Sequence, residues 1–283
     1  MSTALSNVLV TEFQTEVHQR FQEEATLRDT VRIKDASSAK KVNFNLMGRG
    51  KAQKRGAIQT PIPTMNIQHS LKEATVENYV ASELTDIFLN NQVRFDEKQE
   101  LVQSISSALG RQLDQIILDE MAGTTFAAGK TIANNVSGSA DNLTVEAIRA
   151  AAQALDVDGV PDSERCLVIH PSGLHNLLEN TEVTSTDFSN VKALVRGDLD
   201  TFYGFRIKKI GDRDEGGLAI DGSNDRTNFF YQKMAFGLAV NMEPTIRIDW
   251  AEEYGAHRVT GYMAAGGVLV DDLGAGKIIT REA

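Results

Sequence analysis

Hydrophobic positions along this 283-residue chain change their period several times, and each change marks an element. From Asn7 to Arg28, Val10, Phe13, Val17, Phe21 and Leu27 recur near helical spacing with Glu and Gln between them, which predicts an amphipathic helix. The period then drops to two. In KKVNFNLMG, Val42, Phe44 and Leu46 alternate with polar residues, and alternation resumes beyond Pro61 and Pro63 through Met65, Ile67 and Val76. Gly48, Gly50 and Gly56 break any regular pairing between the two runs. The stretch reads as strand, long loop, strand, an extended hairpin of roughly forty residues.

A helical stripe returns between Arg94 and Met121, where Leu101, Ile105, Ala108, Leu109, Leu113, Ile116, Ile117 and Met121 fall on one face. RFDE at its start and Gly123 past its end supply start and stop chemistry. At ~1.5 Å per residue this helix spans roughly 40 Å, longer than an average globular helix. Residues 124–142 are small and polar and read as a linker. LTVEAIRAAAQALD is then a helix with Thr144 as N-cap, RCLVIHP a buried strand and SGLHNLLEN a short helix. TFYGFRIKKI reads as one strand, GDRDEGG as a turn, and NFFYQKMAFGLAV as a strand running into an apolar segment. TIRIDWAEEYGAHRVTGYMAAGGVLVDD predicts a long hairpin closed at Glu252–Gly255, and GKIITRE a last strand. The mixture is α+β.

Composition adds limits. Forty-one per cent hydrophobic and 24% charged residues suit a packed core. No run approaches the ~18 apolar residues of a membrane span. The first residues carry no basic region ahead of an apolar block, so no secretory signal is expected. A single cysteine, Cys166, excludes an internal disulfide and fits a reducing cytoplasm. Charge changes the picture more. The chain carries −10, yet residues 32–55 hold eight basic residues against one acid, leaving −17 elsewhere. A basic segment on an acidic body is a statement about partners.

Candidate chemistry is thin. GTTFAAGKT has five residues between Gly123 and Gly129 where a phosphate-binding loop needs four, and it follows a helix where that loop follows a strand. DGSNDRT sets Asp221, Ser223 and Asp225 at alternate positions, but Arg226 and Gln232 stand where a calcium loop needs glycine and glutamate. His170 and His175 are five apart, off a common helix face. Cys166 lies in an apolar strand, where a buried thiol is the default. Arg196-Gly197-Asp198 reads as a turn, and no glycine-flanked nucleophilic serine occurs. No catalytic, cofactor-binding or metal residue is expected, and the chain does not read as an enzyme.

The basic segment remains. Nucleic-acid binding would use its charge, but only Phe44 could stack on bases and the body would repel a polyanion. A purely solvated loop is disfavoured because long structureless loops are uncommon without a function. A two-stranded hairpin is marginal alone, and this one offers little apolar surface, so it needs an external support. The acidic body of an identical chain supplies one. Lys40, Lys41, Arg49, Lys51, Lys54 and Arg55 are the candidate inter-subunit contacts. Donor and acceptor patches differ, so the contact is heterologous and builds rings or larger assemblies.

Specific stretches carry a resemblance. IQHSLKEATVENYVASELTDIFL leading into RFDEKQELVQSISSALGRQLDQIILDEMAG resembles the strand-to-spine passage of capsid proteins from short-tailed phages. LVIHPSGLHNLLEN and RGDLDTFYGFRIKKI are similar to the axial domain, and EYGAHRVTGYMAAGGVLVDD to the peripheral-domain hairpin, of the Hong Kong 97-like capsid fold. The resemblance covers almost the whole chain and implies the major capsid protein of a tailed bacteriophage. It implies an N-terminal arm at 1–33, an extension loop at 34–75, and a peripheral domain at 76–142 with its spine helix at 94–122. An axial domain at 143–243, a peripheral return hairpin at 244–270 and a C-terminal strand at 271–283 follow. The implied role is structural: hexamers and pentamers closing into an icosahedral head around double-stranded DNA, assembled in the bacterial host cytoplasm and ending in the virion. Some relatives carry a scaffolding region of roughly a hundred residues ahead of the arm. Here the arm helix follows Met1 almost at once, so a separate scaffolding protein is implied, with a portal protein. No membrane partner or cofactor is implied. The lysine–asparagine cross-links of some relatives have no marked pair here. An encapsulin-type bacterial compartment is the alternative of the same fold, and a nucleic-acid-binding protein the alternative of another class.

Overall fold

The computed structural model describes residues 25–36, 40–54, 56, 62, 64–86, 97–135, 141–179, 201–213 and 215–282. Most of the helix predicted over Asn7–Arg28 lies outside these residues. Its last residues are not α-helical, and Arg28–Thr30 forms a single 3-10 turn. The reason is local: the amides of Thr26 and Leu27 donate to the Asp114 carboxylate, at 2.9 and 3.0 Å, instead of to a preceding turn.

Strand β1 (Arg32–Asp35) leads into a hairpin of β2 (Lys41–Met47) and β3 (His69–Thr75), then β4 (Glu77–Asp86). Helix α1 follows at Glu97–Gly123, along the predicted stripe; residues 94–96 lie outside the described set. Strand β5 (Thr131–Ile132), helix α2 (Val145–Val157), strand β6 (Arg165–Ile169) and helix α3 (Pro171–Glu179) come next. The chain ends with β7 (Thr201–Phe202), β8 (Phe205–Lys209), β9 (Asp225–Gln232), β10 (Phe236–Ala251), β11 (Ala256–Leu269) and β12 (Ala275–Arg281).

Two main sheets result. The first runs β1-β10-β11-β4 and the second β5-β12-β9-β6-β8-β7, while β2 and β3 pair only with each other. Helix α1 lies on the first sheet: Ile105, Leu109, Leu113 and Ile117 pack with Val259 and Met263 of β11 and Leu238 of β10. The same cluster takes in Val168 and Tyr231 from one face of the second sheet, so α1 serves both sheets. The other face of that sheet sends Leu167, Ile169, Phe230 and Ile278 against Ile148 and Leu155 of α2 and Leu174 of α3. With apolar layers on both sides, every residue of β6 is buried, which is why Cys166–Ile169 is a continuous apolar run and not an alternation, while Arg165 at its start is buried on ion pairs with Asp156 and Asp162. Thr144 caps α2 as expected, its hydroxyl accepting from the Ala147 amide at 3.3 Å.

Four expectations change in detail. TFYGFRIKKI is two strands, because Tyr203 and Gly204, at φ 46° and 78°, make a two-residue turn that folds β7 back on β8. The expected linker 124–142 contains β5, which pairs in parallel with β12 at the sheet edge. NFFYQKMAFGLAV divides between the sheets: β9 belongs to the second, a 3-10 turn follows at Lys233–Ala235, and β10 belongs to the first. The late hairpin is therefore longer than its sequence signal, starting at Phe236 with register shifts between Val240 and Met242 and between Met242 and Thr245. The second shift spans Pro244, which has no amide for the ladder, and the irregular register hid the strand's first half.

Candidate inter-subunit surface

The hairpin β2–β3 is in full antiparallel register from Lys41 opposite Thr75 to Met47 opposite His69. Its period of two turns Val42, Phe44 and Ala74 to one face, where all three are buried. They join Val76, Ala36, Ala239, Ala264, Val268 and Val270 in a core cluster of their own. This corrects the expectation that the hairpin has little apolar surface and must rest on another copy: its base rests on its own first sheet. Two glycines make the seat. A Cβ on Gly237 would sit 2.6 Å from the Phe44 ring, and one on Gly266 would sit 1.9 Å from the Thr75 carbonyl oxygen. The signal lay in the sequence as glycines inside predicted strands, which mark close backbone approach.

Beyond Met47 the chain leaves this seat. The six candidate contact cations divide accordingly. Lys41 pairs with Glu73 across the hairpin, Nζ to Oε1 2.5 Å. Arg49 donates from its guanidinium to the backbone carbonyl of Asp158, at the end of α2. Lys40, Lys51 and Lys54 are exposed, and Arg55 lies outside the described residues. Two of the six are thus engaged inside the subunit, and the exposed cations of the tip are what a neighbour could meet. Ile62 and Met65, 80% and 53% exposed, accompany them. Across the molecule, Glu83, Asp249, Glu252 and Glu253 are exposed at the far end of the first sheet.

Elsewhere the subunit holds buried polar contacts that the sequence reading missed. Asp114 is fully buried on the apolar stripe of α1. It accepts from the Thr26 and Leu27 amides, from Thr26 Oγ1 at 3.3 Å, and from Arg213 Nη1 at 3.1 Å. One carboxylate so ties the arm, the spine helix and the loop before β9. A lone acid between Leu113 and Ile116 was the available signal. Lys130, from the segment that imitates a phosphate loop, is 1% exposed and caps the end of α2 through the Ala154 carbonyl (2.5 Å) and Asp158 Oδ2 (2.7 Å). Its hydrogen bond holds the Asp158 carboxyl below the usual aspartate range.

At the chain's end, Glu282 bonds Arg226 through both oxygens, at 2.8 and 2.9 Å, and accepts from the Ser172 hydroxyl. His170 Nδ1 lies 2.9 Å from the same carboxylate. Burial alone would raise the Glu282 pKa, but the hydrogen bond and charge of Arg226 outweigh it and hold the carboxyl below its ordinary value. Burial lifts the Cys166 thiol to about 11, so the thiol is structural. Asp221 accepts from the Ser223 and Asp225 amides while Asp225 pairs with Arg281, so the sequence imitating a calcium loop is a closed turn. Among the described residues no cluster of three or more His, Cys, Asp or Glu could hold a metal ion, and no helix is long and apolar enough to cross a membrane.

The architecture has close counterparts. The chain is similar in structure to the capsid of Cyanophage P-SCSP1u, with a TM-score of 0.78 and 17% identity over 100% of this chain and 96% of that one. It is similar to the head of Helicobacter pylori bacteriophage KHP40, at a TM-score of 0.76 and 12% identity over 99% and 97%. The capsid of a native GTA particle matches at a TM-score of 0.71 and 15% identity over 99% and 98%. At such identities these likenesses establish the fold, the Hong Kong 97-like α+β capsid architecture that the resemblance implied. Curated proteins yield no match to the chain. The family model described as phage capsid protein matches residues 5–282, so with its fold and its protruding basic hairpin the chain belongs to the phage capsid protein family and is a structural major capsid protein.

Proposed function

We propose that this protein builds hexamers and pentamers that close into the icosahedral head of a tailed phage around double-stranded DNA. The observation that carries the reading is the hairpin: its base is clamped to its own sheet, while Lys51 and Lys54 near its tip are exposed. In this reading the first sheet with α1 is the peripheral domain, the second sheet with α2 and α3 the axial domain, and the tip reaches a neighbour. Lys51, Lys54 and Arg55 meet exposed acids of the next copy, for which Glu83, Asp249, Glu252 and Glu253 are the accessible candidates. Each exposed pair contributes only ~0–1 kcal/mol, so the gain comes from repetition around a ring. The role is structural and involves no catalysis. A separate scaffolding protein and a portal protein complete the assembly in the host cytoplasm. The phage capsid match favours the head over an encapsulin-type compartment and over a nucleic-acid-binding protein.

Negative-stain microscopy of the full chain co-produced with its scaffolding protein tests this. Closed shells are expected. The triple variant Lys51→Glu, Lys54→Glu, Arg55→Glu should keep its circular dichroism and lose closed shells. Wild-type shells of ordinary yield from that variant would remove the docking contact, and a wild-type chain that stays single at high concentration would remove the shell reading.

A further inference from the structure

An open trench separates the strand that leads into the hairpin from the second sheet. One part, a cleft of about 520 Å³, is lined by Arg28, Arg32, Arg206 and Lys233 with Asp29. A second part of about 400 Å³ continues from it, sharing Arg32 and Met234 and reaching Arg49 and Asp271. Five cations face two acids in a chain whose acids outnumber its cations by ten. Arg28 and Lys233 are balanced at the rim by Glu243, at 2.6 Å, and Glu164, at 3.2 Å. Arg32 has the Phe44 ring at 5.8 Å, and among the described residues neither it nor Arg206 has a carboxylate partner. Arg206 is exposed on β8, next to the half-buried Lys208 two residues on. The positive field reaches inward, since Arg206 and Lys208 oppose the rise that burial imposes on the Cys166 thiol.

We infer that this trench is a phosphodiester-binding groove, with Arg32 and Arg206 as its central pair, for the backbone of the packaged DNA. The inference rests on the reading that the shell encloses DNA. Guanidinium forks match phosphate oxygens two at a time and stay charged at every physiological pH. A trench two clefts long favours a repeating anion: a duplex backbone brings evenly spaced phosphates past each cation in turn, whereas a folded neighbour must bring several carboxylates into register at once. The net −10 of the chain confines such contact to the groove and keeps it weak, one small salt-sensitive site per subunit. A genome held that way can be packed and released.

The test is binding of a labelled duplex oligonucleotide of arbitrary sequence to the full-length subunit, followed by anisotropy across a salt series. The double variant Arg32→Ser, Arg206→Ser should bind more weakly and lower the slope of log affinity against log salt by about two. The hairpin-tip variant Lys51→Ser, Lys54→Ser, Arg55→Ser should leave that slope unchanged. Equal slopes for the wild type and the double variant, or no duplex binding by the wild type at low salt, would overturn the groove. So would loss of closed shells by the double variant with duplex binding intact, because the trench would then seat an acidic segment of another copy. Failure of the wild type to form shells would strike the shell reading instead, and the slope comparison separates the two.

Discussion

Asp114 shows how much of this structure turns on one side chain. Its carboxylate, fully buried, satisfies two amides and a hydroxyl of the arm and the Arg213 guanidinium, itself 4% exposed. Asp114→Ala removes the buried carboxylate that the Arg213 guanidinium and two amides bond. We expect a loss of about 3–5 kcal/mol in urea unfolding, against little change for an exposed acid such as Glu253. Glu282 makes a pH prediction. Its folded carboxyl titrates below the ordinary value of 4.5, so its stabilisation is complete above that value and drains as pH falls through the folded pKa. The melting temperature should therefore drop on acidification below the ordinary glutamate range, and Glu282→Gln should flatten part of that drop while lowering stability at neutral pH. A Glu282→Gln profile parallel to the wild type would show that Arg226 does not hold the carboxylate in solution.

At the scale of elements, period and burial agree where one face is buried and disagree where two are. Helix α1 and the hairpin strands were legible because a single stripe or a strict alternation marks each core face. The seat of the hairpin was marked only by Gly237 and Gly266, and the sequence reading missed it. Val42, Phe44 and Ala74 are few, and only the position of β10 and β11 beneath them shows that they suffice. Phe44→Ala should cost about 3–5 kcal/mol, the usual price of emptying a buried aromatic site. It should also make the amides of β2 and β3 exchange faster than those of β11. Uniform protection across both hairpins in that variant would mean the base does not depend on Phe44. The turn at Tyr203–Gly204 and the switch of sheets at Lys233–Ala235 escaped detection for a different reason: each is only two or three residues long and lies inside an apolar run, so no window of periodicity resolves it.

For the whole molecule, the charge asymmetry becomes an arrangement. Among the described cations of residues 32–55, Lys41 makes an ion pair at the hairpin base, Arg49 contacts the end of α2, Arg32 lines a trench, and Lys51 and Lys54 are exposed at the tip. Contacts made by the exposed tip, as proposed above, are screened by salt, while the apolar seat of the hairpin is not. Raising salt from about 0.05 M to 0.5 M should therefore reduce shell yield without lowering the subunit's melting temperature. Parallel loss of both would place the salt-sensitive contacts inside the subunit. What the order of residues determined alone was local: the spine helix, the hairpin strands, the Thr144 cap, the buried strand β6 and the uneven charge, because each follows from side chains within a few positions of one another. Only the tertiary structure decided which cations remain exposed, that Asp114 joins three segments, and that β9 and β10 belong to different sheets. Those outcomes depend on groups tens to hundreds of residues apart, whose meeting no local period records.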